Sequence, residues 1–123
     1  MNELTKAEER VMIILWQLKK GVVHDILERL PDPKPSYNTV STIIRVLEKK
    51  GVVGHKAYGK THEYFPLISE EEYKGFALKK VMNNYFDGSL KRLVSFFTKK
   101  QDIDLAELDE IVKLIEENKK QEE

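Results

Sequence analysis

Apolar residues recur at intervals of three and four in three segments between residues 5 and 50. This spacing predicts three amphipathic helices, because such residues share one face of a helix. Thr5 and Glu8 have the spacing of a capping box that starts the first helix, and Gly21 marks its end. The prolines between residues 31 and 35 interrupt the pattern. The predicted helices are 5–20, 22–30 and 36–50, and the first is expected to turn Ala7, Val11, Ile14, Leu15 and Leu18 inward.

The pattern changes from helical to alternating spacing after Gly51. Residues 52–57 and 61–65 are predicted to be short strands joined by residues 58–60, and Pro66 ends the second strand. Three helices followed by a β-hairpin is the order of a winged helix-turn-helix, with a generic α+β domain as the alternative. The predicted fold is therefore mainly α with a small β-hairpin.

The second half of the chain returns to helical spacing. The pattern predicts helices at about 69–86, 89–98 and 105–117, with Asp87-Gly88 as a turn and the last residues frayed. We expect two domains, a winged helix at 1–67 and a helical region at 68–123.

Three short amphipathic helices leave more apolar surface than they can cover among themselves. Pairing with a second copy of the chain buries this surface most simply, which predicts a homodimer. The alternative is that these helices fold back on the first domain. The residues expected at the dimer contact are Tyr73, Leu93, Phe97, Leu108, Val112 and Ile115.

The third predicted helix has two unlike faces. Val40, Ile43, Ile44 and Leu47 form an apolar stripe, whereas the opposite face carries short polar side chains and two cations. Short polar side chains let a helix approach base edges in the major groove of DNA, and cations contact phosphates. The alternative is an ordinary surface helix that is rich in Ser and Thr.

This face predicts a division of contacts to double-stranded DNA. Asn38, Thr39 and Thr42 are expected to contact base edges. The residues expected to contact the DNA backbone are Ser36, Ser41, Arg45, Lys49, Lys56 and Lys60, the last two from the hairpin.

The zero net charge of the chain does not favour DNA binding, but the distribution of charge along the chain is compatible with it. The formal net charge is zero. Residues 1–66, however, hold 11 Lys and Arg against 8 Asp and Glu, whereas residues 67–123 hold 10 against 13. A mildly basic first half and an acidic second half fit a DNA-facing part joined to a protein-facing part. We expect a cytoplasmic protein, because the sequence has no signal-peptide pattern and no long apolar run.

An enzyme, a cofactor and a metal site are not predicted. The sequence has no cysteine, no phosphate-binding glycine loop, no HExxH motif and no evident triad. His55 and His62 are expected to lie opposite each other if Tyr58-Gly59 forms a two-residue loop, but no third ligand has a suitable spacing. Phosphate contact or simple exposure is the preferred interpretation of this pair.

Several segments together resemble the BlaI/MecI family of penicillinase repressors. The matching segments are Leu4-Thr5-Lys6-Ala7-Glu8, Val11-Met12, Leu15-Trp16, Asn38-Thr39-Val40-Ser41-Thr42, Leu47, Lys49-Lys50-Gly51, Tyr64-Phe65-Pro66-Leu67, Ser69-Glu70-Glu71-Glu72-Tyr73, Leu93-Val94, Phe97 and Glu107-Leu108. The resemblance covers nearly the whole chain. Their order and spacing carry the resemblance more than any single segment does.

The resemblance implies a dimeric repressor that binds palindromic operators of β-lactam-resistance or envelope-response genes. It also implies induction by cleavage in the dimerisation region, through a pathway that begins at a membrane sensor protease. The corresponding bond here is Phe96-Phe97, whereas the family's bond typically joins Asn to Phe. The residues alone leave open an activator without a repressor role, or a winged helix that docks a protein.

Overall fold

The computed structural model describes residues 3–100 and 104–122, which form six helices and one antiparallel hairpin. The elements are α1 (Lys6–Leu18), α2 (Val23–Arg29), α3 (Tyr37–Lys49), β1 (Val53–Tyr58), β2 (Thr61–Pro66), α4 (Glu70–Phe86), α5 (Leu90–Lys100) and α6 (Leu105–Glu122). Three helices followed by a hairpin confirm the predicted winged helix-turn-helix and the mainly α fold class.

The predicted capping box does start α1. The Glu8 amide donates a hydrogen bond to Thr5 Oγ1 (3.1 Å), and the Thr5 amide donates one to Glu8 Oε1 (2.8 Å). Lys50 Nζ, which follows α3, lies 2.7 Å from the same carboxylate oxygen. Glu8 is consequently buried, whereas Ala7 is exposed, so the inward position predicted for Ala7 is wrong. The capping box and the ion pair turn Glu8 inward, and they stabilise this orientation more than burial of the single methyl group of Ala7 would.

Acidification is expected to destabilise the fold through Glu8. Burial raises the pKa of Glu8, but hydrogen bonds from Lys50 and the Thr5 amide outweigh burial and lower the pKa below its ordinary value of 4.5. Glu8 therefore stabilises the folded state above pH 4.5, and this contribution disappears as the pH falls through the folded-state pKa. Glu8→Gln should lower the free energy of unfolding at neutral pH by about 1–3 kcal/mol and flatten its acid dependence. Urea unfolding across pH measures both effects. The control Glu110→Gln, at an exposed position of α6, should behave as the wild type does; an unchanged acid limb in Glu8→Gln would contradict the assignment.

Gly21 has a different role from the predicted helix end. α1 ends at Leu18, and Lys19 takes the positive φ of 71°. Gly21 instead pairs with β2 as an isolated bridge, in which the Gly21 amide donates to the Tyr64 carbonyl (2.9 Å) and the Tyr64 amide donates to the Gly21 carbonyl (2.8 Å). This bridge ties the hairpin to the α1–α2 junction.

One hydrophobic core joins the three helices to the base of the hairpin. Its fully buried members include Met12 and Leu15 of α1, Ile26 of α2, and Val40, Ile44 and Leu47 of α3. Trp16 packs against this core, donates from Nε1 to the Ile68 carbonyl (3.0 Å), and lies 5.9 Å from the Tyr73 ring between centroids. The core therefore holds α3 by one face and leaves the other face free.

The hairpin register places its two-residue loop at Gly59-Lys60, one position later than the predicted Tyr58-Gly59 loop. Tyr58 pairs with Thr61, and Ala57 pairs with His62. Gly59 has a φ of 64°, a left-handed conformation that glycine adopts without strain. β1 is shifted by one residue from its prediction, whereas β2 starts at Thr61 as predicted and ends one residue later, at Pro66.

The chain divides within α4 into two compact units, one ending at Ala77 and the other beginning at Leu78. Tyr73 belongs to the core of the first unit, so this compact unit extends beyond residue 67. The division into a DNA-binding domain at 1–67 and a dimerisation domain at 68–123 stays a prediction. In the second unit, α6 continues to Glu122, so the predicted end at Glu117 is wrong. The added residues contain neither Gly nor Pro and are mostly good helix formers. No helix in residues 3–100 and 104–122 has the length and apolarity to cross a membrane.

Candidate nucleic-acid interface

The core orients α3 so that its polar side is solvent-exposed. Val40, Ile44 and Leu47 have no exposed area, and Ile43 is half-buried. Ser36, Asn38, Thr39, Thr42, Arg45 and Lys49 are all exposed, and Ser41 is half-buried. The predicted contact residues of this helix therefore lie on one accessible face.

The start of α3 is organised by two of these residues. Ser36 Oγ accepts a hydrogen bond from the Thr39 amide (3.1 Å), as the predicted cap requires, and lies 2.9 Å from Thr39 Oγ1. The contact between the two hydroxyls restrains the Thr39 side chain before any ligand arrives. Ser36 thus positions the first turn of the helix as well as lying on its accessible face.

The three predicted base-reading residues lie together. Asn38, Thr39 and Thr42 line a shallow depression of about 310 Å³ on the outside of α3, with Ile43 at its edge. Their amide and hydroxyl groups can donate or accept hydrogen bonds, and the methyl groups of Thr and Ile can contact a thymine methyl. This surface has the chemistry and the close backbone approach that base readout requires.

The two lysines predicted in the wing occupy different surroundings. Lys60, in the loop, lines the same cleft as Arg45, between α3 and the hairpin. Lys56 lies on the other face of the hairpin by strand alternation, with its Nζ 5.3 Å from the Tyr58 ring centroid. Both are exposed, but only Lys60 extends the positive charge of α3 directly.

The cleft between α3 and the hairpin has a volume of about 320 Å³ and was not predicted as a site. Its walls are formed by Val22, Val23, His24, Tyr37, Ser41, Arg45, Lys60, Thr61, His62 and Tyr64. Tyr37, Ser41 and Arg45 are spaced by four residues, so they form one ridge of α3 facing the cleft. That spacing is the signal that could have identified Tyr37, which is 54% exposed.

The one acidic residue of α3 is turned toward the hairpin. Glu48 contacts His55 Nδ1, and both side chains are 32% exposed. Near them Tyr64 is buried; burial raises the pKa of Tyr64, the Glu48 carboxylate raises it further, and Arg45 opposes the rise. Glu48 is thus engaged at the margin of the polar face.

The two wing histidines are stacked rather than directly opposite. Their ring centroids are 4.2 Å apart and their planes differ by 9°. Since the loop is Gly59-Lys60, His62 pairs with Ala57 and meets His55 diagonally, which corrects the predicted register. Within residues 3–100 and 104–122, no three His, Asp or Glu side chains are grouped so that they could hold a metal ion.

The residues predicted for dimerisation fall into two groups. Tyr73 is buried within its own unit, where its hydroxyl donates to Glu9 Oε2 (3.3 Å). Leu93, Phe97, Leu108, Val112 and Ile115 remain partly or largely exposed on α5 and α6. Phe96, the other half of the predicted cleavage bond, is 45% exposed and meets Phe86 edge-to-face within the second unit.

Comparison with known proteins agrees with these features. Residues 4–117 match the family model described as penicillinase repressor. The chain is 32% identical over 119 residues to the methicillin resistance regulatory protein MecI of Staphylococcus aureus (strain N315), covering 96% of this chain and 95% of that protein. It is 25% identical over 118 residues to the penicillinase repressor of Bacillus licheniformis, covering 95% and 92%. A solved structure titled CopR Repressor Structure covers 55% of this chain and all of its own, with 29% identity and a TM-score of 0.46.

The family model spans almost the entire chain, and the relatives are matched over nearly their full lengths. These relatives are regulators and repressors rather than enzymes. The chain therefore belongs to the penicillinase repressor family and is a transcriptional repressor.

Proposed function

We propose that the protein acts as a homodimer that binds a palindromic operator and represses genes of β-lactam resistance or of an envelope response. The observation that carries this proposal is the outward-facing surface of α3, with Asn38, Thr39 and Thr42 around one depression. Because the protein must be in the same compartment as its operator DNA, we also propose that it is cytoplasmic.

In the proposed complex, α3 lies in the major groove. The buried stripe of Val40, Ile44 and Leu47 holds the helix from behind, so its outer face can approach base edges without rearrangement. Thr42 lies one turn beyond Asn38 on that face and is free of the cap that restrains Thr39. Asn38, Thr39 and Thr42 read bases in this arrangement.

Contacts with the DNA backbone fix the position of α3 along the duplex. Arg45 and Lys49 continue the outer face of α3 toward its end, where they meet phosphates. Ser36 and Ser41 add hydroxyl contacts, and Lys56 and Lys60 bring the hairpin against flanking DNA. These contacts hold the protein on any sequence, whereas the base-reading residues select the operator.

The second unit supplies the proposed dimer contact. Leu93, Phe97, Leu108, Val112 and Ile115 form the surface assigned to it; Tyr73 is left out because its own core already buries it. A symmetric dimer would present two copies of α3 to half-sites about 34–36 Å apart, which matches a palindrome.

The class of regulated genes and the induction route rest on family membership. The relatives are named for methicillin resistance and for penicillinase. We propose a membrane sensor protease pathway that releases repression by cleaving Phe96-Phe97. This bond lies inside α5, so cleavage requires local unfolding of that helix.

Thr42→Ala tests the base-reading assignment. The substitution removes the hydroxyl and one methyl group from an exposed position, so folding should be unaffected. Binding to the DNA upstream of the protein's own gene should weaken by about 1–3 kcal/mol per half-site, while binding to a random duplex of equal length should not change. Fluorescence anisotropy with both duplexes measures this difference.

Thr98→Ala is the matched control. Thr98 is also an exposed helical threonine, but it lies on α5 and donates to the Ser95 carbonyl (3.0 Å). This variant should bind both duplexes as the wild type does. Equal losses on the two duplexes for Thr42→Ala would contradict a base-reading role, and no binding of the wild type to either duplex would overturn the proposed function.

A further inference from the structure

The cleft between α3 and the hairpin gathers groups that suit an anion. Arg45 and Ser41 approach from α3, and Lys60 and His62 approach from the hairpin. The volume of about 320 Å³ is larger than one phosphate group needs, so the cleft has room for a segment of DNA backbone. It also opens beside the surface proposed to lie on DNA.

Strand alternation brings the two wing histidines to the α3 side of the hairpin. One face of the hairpin carries His55, Ala57, His62 and Tyr64. Of these four residues, Tyr64 is buried. His62 lines the cleft, whereas His55 is stacked on the ring of His62 at 4.2 Å. The stacked pair therefore connects the cleft to the Glu48 carboxylate.

Charged and titratable groups surround His62 on each neighbouring element. Arg45 and Tyr37 come from α3, and Glu48 of the same helix is hydrogen-bonded to His55. Lys60 comes from the loop and Tyr64 from the same strand. His24 comes from α2, where its Nε2 lies 3.0 Å from Glu28 Oε1. Glu28 and Glu48 are thus each paired with another histidine, and Asp25 at the start of α2 accepts from the Val22 amide (3.2 Å). None of these carboxylates is paired with His62 in the described contacts of residues 3–100.

A phosphodiester in this cleft would change which form of His62 is favoured. Histidine gains or loses its proton near neutral pH, and the protonated ring donates from both nitrogens. An anion against the ring favours the protonated form, because a charge-assisted hydrogen bond to phosphate is stronger than a neutral one. Binding of the phosphate and uptake of a proton are then linked.

We propose that this cleft binds a backbone phosphate of DNA and that His62 takes up a proton when it does, so that DNA binding strengthens as the pH falls. The proposal rests on the proposed function, since DNA is the ligand in both. Tyr37 and Ser41 line the same cleft, so their hydroxyls can hydrogen-bond the DNA backbone beside His62, Arg45 and Lys60.

The test compares variants at fixed ionic strength between about pH 6 and pH 8, where histidine titrates. Anisotropy of the full-length protein is measured with the duplex upstream of its own gene and with a random duplex. Wild-type affinity for both duplexes should rise severalfold per subunit, by up to about tenfold, on going to the lower pH, because the bound phosphate favours the protonated ring. His62→Gln should remove this response and bind as the wild type does at the higher pH. His62→Lys carries a positive charge throughout this range, so at every pH it should bind with the affinity that the wild type shows at the lower pH.

His24→Gln and His55→Gln are the controls, since the chain has three histidines. Both should retain the pH response. A response that persists in His62→Gln, or that disappears instead in His55→Gln or His24→Gln, would overturn the inference. Strong DNA binding with no pH response would defeat this inference alone, whereas the absence of DNA binding at all pH values would defeat the proposed function.

Discussion

Raising the salt concentration from about 50 to about 200 mM is expected to weaken binding to operator DNA by a factor of about 10³–10⁵. Each subunit offers four exposed cations at the proposed interface: Arg45, Lys49, Lys56 and Lys60. A dimer would therefore make about 6–10 phosphate contacts, and each contact releases condensed counterions from the duplex. The zero net charge of the whole chain does not prevent this effect, because the contacts are local.

The slope of log K against log salt measures the number of contacts. Arg45→Gln should reduce the magnitude of the slope by about two in a dimer, because one contact is lost from each subunit. Lys113→Gln, at an exposed position of α6 in the second unit, removes the same charge and should leave the slope unchanged. A flat salt response in the wild type, or an equal change in both variants, would contradict the proposed interface.

Removing the second unit is expected to have the next largest effect. A chain that ends at Ala77 should be monomeric and should bind operator DNA about 10²–10⁴-fold more weakly, because the second α3 no longer binds as part of one molecule. Analytical ultracentrifugation measures the association state, and anisotropy with the operator measures the affinity. A truncated chain that still dimerises would place the dimer contact in the first unit.

The residue at which the truncated chain ends decides whether the first unit keeps its full core. A chain that ends at Leu67 also lacks Tyr73 and Phe76, which pack on the core, and the Ile68 carbonyl that Trp16 Nε1 contacts. We expect its free energy of unfolding to be at least about 3 kcal/mol below that of the chain ending at Ala77, since a buried aromatic ring is lost. Urea unfolding of the two truncated chains tests this difference. Equal stabilities would mean that the first turns of α4 add nothing to the core.

Local chemistry made much of the fold predictable. Thr5 with Glu8, Ser36 with Thr39, and Ser69 with Glu72 each form the cap expected from residues three positions apart. The apolar stripe of α3 also lies in the core as predicted. Such features depend on neighbours in the sequence, so they can be recognised without knowing the rest of the molecule.

Errors arose where a distant partner decided the outcome. Gly21 pairs with Tyr64 instead of ending α1, and Glu8 is buried because Lys50 reaches it from the far end of α3. The loop lies at Gly59-Lys60, one position later than predicted, so His55 pairs with Tyr64 instead of His62, and His62 lies diagonally against His55. No periodicity in the sequence encodes these pairings.

The sequence by itself determined the order of the elements, the buried side of α3, and the short polar side chains and cations that this helix exposes. These follow from helical spacing and side-chain chemistry, which act over a few residues. Only the tertiary structure decided that Tyr37, Arg45, Lys60 and His62 share one cleft and that Tyr73 belongs to the first unit. The reason is that residues far apart in the chain meet only after the core has set the position of the hairpin and of the first turns of α4 against α1, α2 and α3.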